Sequence, residues 1–266
     1  MPDWESVLKE AGERAQEVSD GLLGKSRGRE VQGRGAGGDA TMRFDAETEQ
    51  AIVEVVRRVP GTRVIAEEVG VVGGADSKWT VIIDPIDGSS NFARGIPFYC
   101  ASIGVADGKG VESIRYGLVR NLPNGDVYYA EKGKGARLNG TKIRAGGVTE
   151  LKEACIGVDL AKGSIDVIAA QVPLIGAIRK QMHLGANALE LCYVADGKID
   201  GFVDMRNTLR IVDFAAGYLI AKEAGALFTD PHGGRVDPRF SLDERFNVVC
   251  ASNASLQRKL LAVIRG

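Results

Sequence analysis

A chain of 266 residues, 44% of them hydrophobic, can bury a substantial core as one large domain or as two smaller ones sharing an interface. Lys plus Arg number 34 against 35 for Asp plus Glu, and a net charge of -1 gives no general reason to bind nucleic acid or an acidic membrane. The N-terminus is polar and acidic and no run of about eighteen apolar residues occurs, so export and membrane spanning are not expected and a cytoplasmic location is.

Trp4, Val7, Leu8, Ala11, Ala15, Val18 and Leu22 recur at helical spacing, as do Ile52, Val55, Val56 and Val59 after Asp45, predicting two amphipathic helices. Between them "GKSRGREVQGRGAGGDA" is dense in glycine and arginine, without periodicity or Walker spacing, and reads as a mobile loop. Its Arg27, Arg29 and Arg34 could close over a site and carry charge towards a phosphate, or simply be solvated. From Val64 the pattern changes to short β-branched runs, "RVIA", "WTVIID", "YCASIGVA", "SIRYGLVR" and "DVYYAEKGKGARLNG", a meander expected to form an antiparallel sheet.

After about Glu150 helix and strand alternate. The expected order is strand "ACIGVDL", a helix from Ser164 to about Met182, a helix from Ala186 to Ala195, strand "IDGFVDM", a helix from Ile211 to Ala224, strands "ALFTD" and "NVVCAS", and a last helix. No repeat or low-complexity linker intervenes. The halves 1–149 and 150–266 should therefore pack tightly as one unit, the boundary falling near Thr149.

Cys100, Cys155, Cys192 and Cys250 are far apart, each in an apolar stretch, which fits reduced core residues better than a disulfide framework or a zinc site. His183 and His232 are the only histidines, so a metal here would be held mainly by oxygen and would be hard, such as magnesium or manganese.

The stretch "VIIDPIDGSSNF" concentrates the chemistry. Asp84 closes a strand that should be buried, and Pro85 removes the next ladder donor, so the backbone is expected to leave the sheet there and to bring Asp87 back towards Asp84. Gly88 permits close backbone approach, and "GSSNFA" can open a short helix whose free N–H groups face the turn. Two carboxylates about 4 Å apart repel by roughly 4 kcal/mol at an effective dielectric near 20. A trapped proton would leave an acid–base dyad, whereas divalent ions would make a bridge between protein and phosphate, which the helix terminus favours. A bare turn is the plain alternative. A calcium EF-hand is excluded, because Gly88 and Gly95 stand where that loop needs oxygen donors.

Five segments in order carry a family resemblance: "GDATMRFD" (38–45), "IAEEVG" (65–70), "WTVIIDPIDGSSNF" (79–92), "GKGARLNGTKI" and "VDFAAG" (212–217). They resemble the inositol monophosphatase and fructose-1,6-bisphosphatase superfamily along nearly the whole chain. The resemblance implies an α/β, layered αβαβα sandwich with an antiparallel-rich first sheet and a smaller mixed second sheet. It also implies magnesium-assisted hydrolysis of a phosphate monoester, with two or three ions per site and manganese as a possible substitute. Glu67, Asp84 and the Ile86 carbonyl would hold one ion, and Asp84, Asp87 and Asp213 a second. Asp39 and Ser89 would orient the attacking water, with Glu67 counted beside them as catalytic. Asp87 and the N–H groups of Gly88 and Ser89 would meet the phosphate. Glu68 reads either as a supporting residue or as a solvated charge.

Val212 replaces the family's usual tryptophan, and Ser89 its usual threonine, with the hydroxyl retained. Arg206 and Arg210 stand where dedicated inositol enzymes tend to be acidic, and cations there suit a second phosphate, although both could equally be paired structurally. In "HLGANALELCYVADGKIDGF", Asn187 is expected near the sugar. The combination is most similar to the archaeal-type enzymes that act on both fructose 1,6-bisphosphate and inositol 1-phosphate, with a sugar phosphate as the small-molecule partner and a homodimer as the family's common assembly. A phosphatase for 3′-phosphoadenosine 5′-phosphate, and a non-catalytic metal-dependent phosphate-binding protein, are the alternatives.

Overall fold

The computed structural model describes residues 2–38 and 40–266, with Arg27 described by its backbone alone. The first helices, α1 (Trp4–Leu22) and α2 (Arg43–Val56), pack side by side. Asp3 starts α1 by accepting the Ser6 N–H, and Trp4, Leu8, Ala11, Ala15 and Leu22 line its buried stripe. Burying each large apolar side chain there contributes about 1.5–3 kcal/mol.

The Gly/Arg-rich segment between them is not an irregular loop. It holds a short antiparallel ribbon of β1 (Val31–Arg34) and β2 (Ala40–Met42), because Val31 and Thr41–Met42 supply enough β-forming character to pair.

Eight strands form the first sheet: β3 (Thr62–Ala66), β4 (Gly70–Val72), β5 (Trp79–Asp87), β6 (Cys100–Ala106), β7 (Ile114–Asn121), β8 (Val127–Glu131), β9 (Ala136–Leu138) and β10 (Thr141–Lys142), in the spatial order 10-9-8-7-6-5-3-4. From β5 to β10 each strand pairs antiparallel with the next, as the meander pattern predicts, but β3 runs parallel to β5, since β4 folds back on the outer edge. Nor does the chain leave the sheet at Pro85. The Asp84 carboxylate accepts the Ile86 N–H at 3.1 Å, which supports a bulge, and β5 pairs again with β6 at Asp87 and Cys100.

The short helix α3 (Ser89–Arg94) follows β5 directly. The second sheet contains β11 (Cys155–Asp159), β12 (Lys180–Met182), β13 (Gly201–Leu209), β14 (Leu227–Thr229) and β15 (Phe246–Ala251), ordered 12-11-13-15-14 with both parallel and antiparallel pairs. The single helix expected over 164–182 is two, α4 (Ile165–Ala170) and α5 (Val172–Ala177), and its end is strand β12. Pro173 is the reason: it fits the first turn of a new helix, not the interior of a long one.

Helices α6 (Asn187–Ala195) and α7 (Ala215–Glu223) lie between the sheets, and α8 (Ala254–Arg265) covers the far face of the second with α5. Three apolar clusters fill the gaps between these five layers, giving the αβαβα sandwich. The register sets Gly104 beside Gly117 beneath α7, where a Cβ would come within 3.1 Å of Ala215 and 3.0 Å of the Ala216 carbonyl. That close approach seats α7, and with it the Asp213 turn, against the strands bearing the other acids. Among the described residues no helix is long and apolar enough to cross a membrane.

Candidate active site

Four acids from three separate segments of the chain are brought near one another. Glu67 follows β3, Asp84 and Asp87 flank the β5 bulge, and Asp213 lies in the turn before α7. Their meeting point is marked by one cation. The Arg210 guanidinium reaches Glu67 Oε1 at 2.5 Å through Nη1 and Asp213 Oδ1 at 2.6 Å through Nη2, while its Nε donates to Asp213 Oδ2 at 3.0 Å. Asp84 lies within hydrogen-bonding reach of Asp213 and feels the charges of Glu67 and Asp87.

All four are drawn out of bulk water, with Asp84 only 1% exposed. Burial first, then Glu67, Asp87 and Asp213, push the Asp84 carboxyl well above the ordinary range. Asp87 is raised as well, by burial and then Asp213, against the opposing N–H groups of Ala188 and Asn187 at the start of α6. The Ala188 N–H donates to Asp87 Oδ2 at 2.6 Å. Burial would raise Asp213 too, but the Arg210 charge and its hydrogen bonds outweigh it and hold Asp213 below its usual value. Four carboxylates around one guanidinium leave surplus negative charge in a low-dielectric pocket, and elementary electrostatics demands protons or further cations.

Among the described residues no three acidic, cysteine or histidine side chains stand in a metal-ready arrangement. Arg210 holds Glu67 and Asp213 in ion pairs instead. The donor set nonetheless fits a hard cation: carboxylate oxygens plus the Ile86 carbonyl.

Ser89 begins α3, its Oγ 2.8 Å from the Ile86 carbonyl and 3.0 Å from Asp45 Oδ1, with its single proton donated to one of them at a time. Gly88 precedes it at φ +92°, a left-handed conformation, and a Cβ there would meet the Phe98 carbonyl at 3.0 Å and the Ala186 Cβ at 3.1 Å. Asn187 is the first residue of α6, one place from the amide bound by Asp87. Asp39 and the side chain of Arg27 lie outside the described residues. Arg29 and Arg34 are exposed, but the backbone just after them is docked: Gly37 donates its N–H to the Glu67 carbonyl at 2.9 Å and Ala36 to that of Glu68 at 3.1 Å.

Arg206 is placed differently from Arg210. It binds Asp159 and Asp204, each at 2.6 Å, and the Ala161 carbonyl at 2.7 Å. His183 stands 3.5 Å from the same Asp159.

Sequence reasoning missed the acids behind this cluster. Asp45 and Glu49 on α2 are both buried; Glu49 accepts the Glu68 and Val69 N–H groups at 2.7 Å each, fixing the backbone that carries Glu67. Glu190 on α6 likewise accepts the N–H groups of Leu184 and Gly185 at 3.2 and 3.1 Å, shaping the entry to Asn187. The signal was present in α2, where Asp45 and Glu49 continue the stripe of Ile52 and Val56 at helical spacing, so charges interrupt an inward face. Glu68 bonds Thr41 rather than standing alone in solvent.

A family model described as the inositol monophosphatase family matches residues 3–266. The chain belongs to the inositol monophosphatase family. Within it, the chain is similar to a protein of Thermococcus kodakarensis named fructose-1,6-bisphosphatase/inositol-1-monophosphatase, at 34% identity over 99% of this chain and 98% of that one. A protein of Methanococcus maripaludis named bifunctional NADP phosphatase/NAD kinase is 33% identical over 91% of this chain, which spans only 46% of that longer relative. Among solved structures, a Pyrococcus horikoshii protein described as similar to inositol-1 monophosphatase superposes with a TM-score of 0.84 at 31% identity, covering 98% of this chain and 97% of that one. The inositol monophosphatase fold thus extends over the whole described chain.

Proposed function

We propose that this inositol monophosphatase family member is a magnesium-dependent phosphomonoesterase that hydrolyses fructose 1,6-bisphosphate and inositol 1-phosphate. The observation that carries this reading is that Glu67, Asp84, Asp87 and Asp213, the three aspartates buried, act electrostatically on one another beside α3, with Arg210 bridging Glu67 and Asp213. The relative from Thermococcus kodakarensis, named for both activities and matched end to end, supports the substrate pair.

Magnesium held by Glu67, Asp84, the Ile86 carbonyl, Asp87 and Asp213 supplies, when bound, the positive charge that activates a water and steadies the leaving oxygen, with manganese able to substitute. Ser89, in contact with Asp45, orients the attacking water together with Asp39. The N–H groups of Gly88 and Ser89, in the first turn of α3 and without partners inside the helix, receive phosphoryl oxygens. Asn187 positions the sugar. Arg210, once cations take over its carboxylate partners, is free to meet the second phosphate of a bisphosphate, a role that suits it better than the closely bound Arg206.

Phosphate release from fructose 1,6-bisphosphate, inositol 1-phosphate, 3′-phosphoadenosine 5′-phosphate and NADP tests the reading. The first two should exceed the others by at least about tenfold in kcat/KM, a difference of about 1.4 kcal/mol in transition-state binding. Preference for NADP would assign the chain the activity named in its Methanococcus relative instead.

A further inference from the structure

At the opposite ends of β3 and β5 from the acid cluster lies a cavity of about 500 Å³, lined by Arg63, Thr80, Lys109, Asp237, Pro238 and Phe240 among others. Arg63 and Thr80 are register partners on these parallel strands, and each stands two residues before an isoleucine, Ile65 or Ile82, that is packed in the central apolar cluster. Strand alternation therefore turns both towards the middle of the molecule, and at the strand starts the apolar core gives way to a partly open cavity with polar side chains in its wall.

The charges in this chamber are unbalanced. Arg63 is partly buried, its Nε is fully enclosed without a hydrogen-bond partner, and neither Arg63 nor Lys109 has a carboxylate partner among the described residues. The lining acid, Asp237, is otherwise engaged: it accepts the Val111 N–H at 3.2 Å and stands 3.7 Å from Arg235. Arg239 at the rim is bound to Glu244 at 2.7 Å. An enclosed guanidinium nitrogen without a partner costs free energy, and an anion drawn to the partly exposed Arg63 would recover part of it. Pro238 and Phe240 add an apolar wall beside the two cations, and the volume suits a small organic molecule.

We propose that this cavity binds a small organic phosphate, with its phosphoryl group on Arg63 and Lys109 and its organic part against Pro238 and Phe240. The site is separate from the acid cluster: Arg63 and Thr80 each lie four residues before Glu67 and Asp84, roughly 13 Å along an extended strand. It needs no divalent ion.

Calorimetric titration of the full chain with phenyl phosphate in excess chelator tests this, since binding that depends on divalent ions at the acid cluster is then silent. Saturable binding of one phenyl phosphate per chain is expected, tighter than that of inorganic phosphate, unchanged by Asp84→Asn and weakened at least about tenfold by Arg63→Gln with Lys109→Gln. Arg63→Lys with Lys109 intact should retain most of the affinity, which separates lost charge from lost fold. No saturable binding, binding unaffected by the double substitution, loss with Asp84→Asn, or equal affinity for inorganic phosphate would each overturn the proposal.

Discussion

Arg210 and Glu67, distant in sequence, stand 2.5 Å apart, and the same guanidinium holds Asp213. Arg210 is thus an internal counter-ion on two carboxylates that the proposed function assigns to a divalent cation. On that reading cation binding would separate these pairs, and removing the arginine would remove a competitor. In Arg210→Ala, manganese affinity should rise at least about tenfold by calorimetric titration. The chelated protein should lose stability, on the order of 3 kcal/mol, as expected for taking one partner from a buried pair. Unchanged or weaker manganese binding would contradict the counter-ion role.

Asp84 carries the opposite expectation. Its carboxyl is buried among like charges, so Asp84→Asn relieves repulsion and keeps an oxygen that can accept the Ile86 N–H. Chelated Asp84→Asn protein should unfold at a higher temperature than the parent, by about 2–4 °C for each 1 kcal/mol relieved, while turnover in magnesium falls by orders of magnitude. A lower unfolding temperature in chelator would show that Asp84 is not electrostatically strained.

Gly88 sets the angle at which β5 hands over to α3. An alanine there must hold φ near +92° and press on the Phe98 carbonyl and Ala186. About 1–3 kcal/mol of destabilisation is expected, with kcat reduced more than KM is raised because Ser89 moves with the turn. Denaturant unfolding and steady-state kinetics check both; a fully active, equally stable Gly88→Ala protein would show that the turn tolerates a side chain.

Glu190 predicts a pH effect outside the cluster. Burial pushes its carboxyl up to about 7, against the opposing N–H groups of Gly185 and Leu184. The folded state then holds a proton that the unfolded state releases near the ordinary value of 4.5, so stability is greatest below that value and is lost as pH rises to about 7, where the folded group also ionises. In Glu190→Gln this share of the decline, on the order of 3 kcal/mol at most, should vanish. Thermal unfolding of the chelated pair from pH 4 to 8 should show the curves converging towards low pH; parallel curves would mean that burial does not raise the Glu190 carboxyl above its unfolded value.

What was legible in the sequence follows from local pattern. Alternating β-branched runs gave the meander from β5 to β10, and the apolar stripes gave α1 and α2. The parallel pairing of β3 with β5 was hidden, because strand order is decided by tertiary packing rather than by any local residue. Pro85 misled: the expectation counted its missing donor but not the Asp84 carboxylate that accepts the Ile86 N–H and lets the strand resume. Pro173, by contrast, was available to divide the helix expected over 164–182. At the site, the motif placed the four acids, but no spacing rule could show that Arg210 would sit between Glu67 and Asp213, or that Arg206, four residues earlier, would bind Asp159 and Asp204.

The most direct measurement is phosphate release from fructose 1,6-bisphosphate and inositol 1-phosphate by the purified chain, with excess magnesium and with excess chelator. The account predicts turnover of both esters in magnesium, its disappearance in chelator and its return when magnesium is restored. Hydrolysis that persists after divalent ions are removed would contradict it.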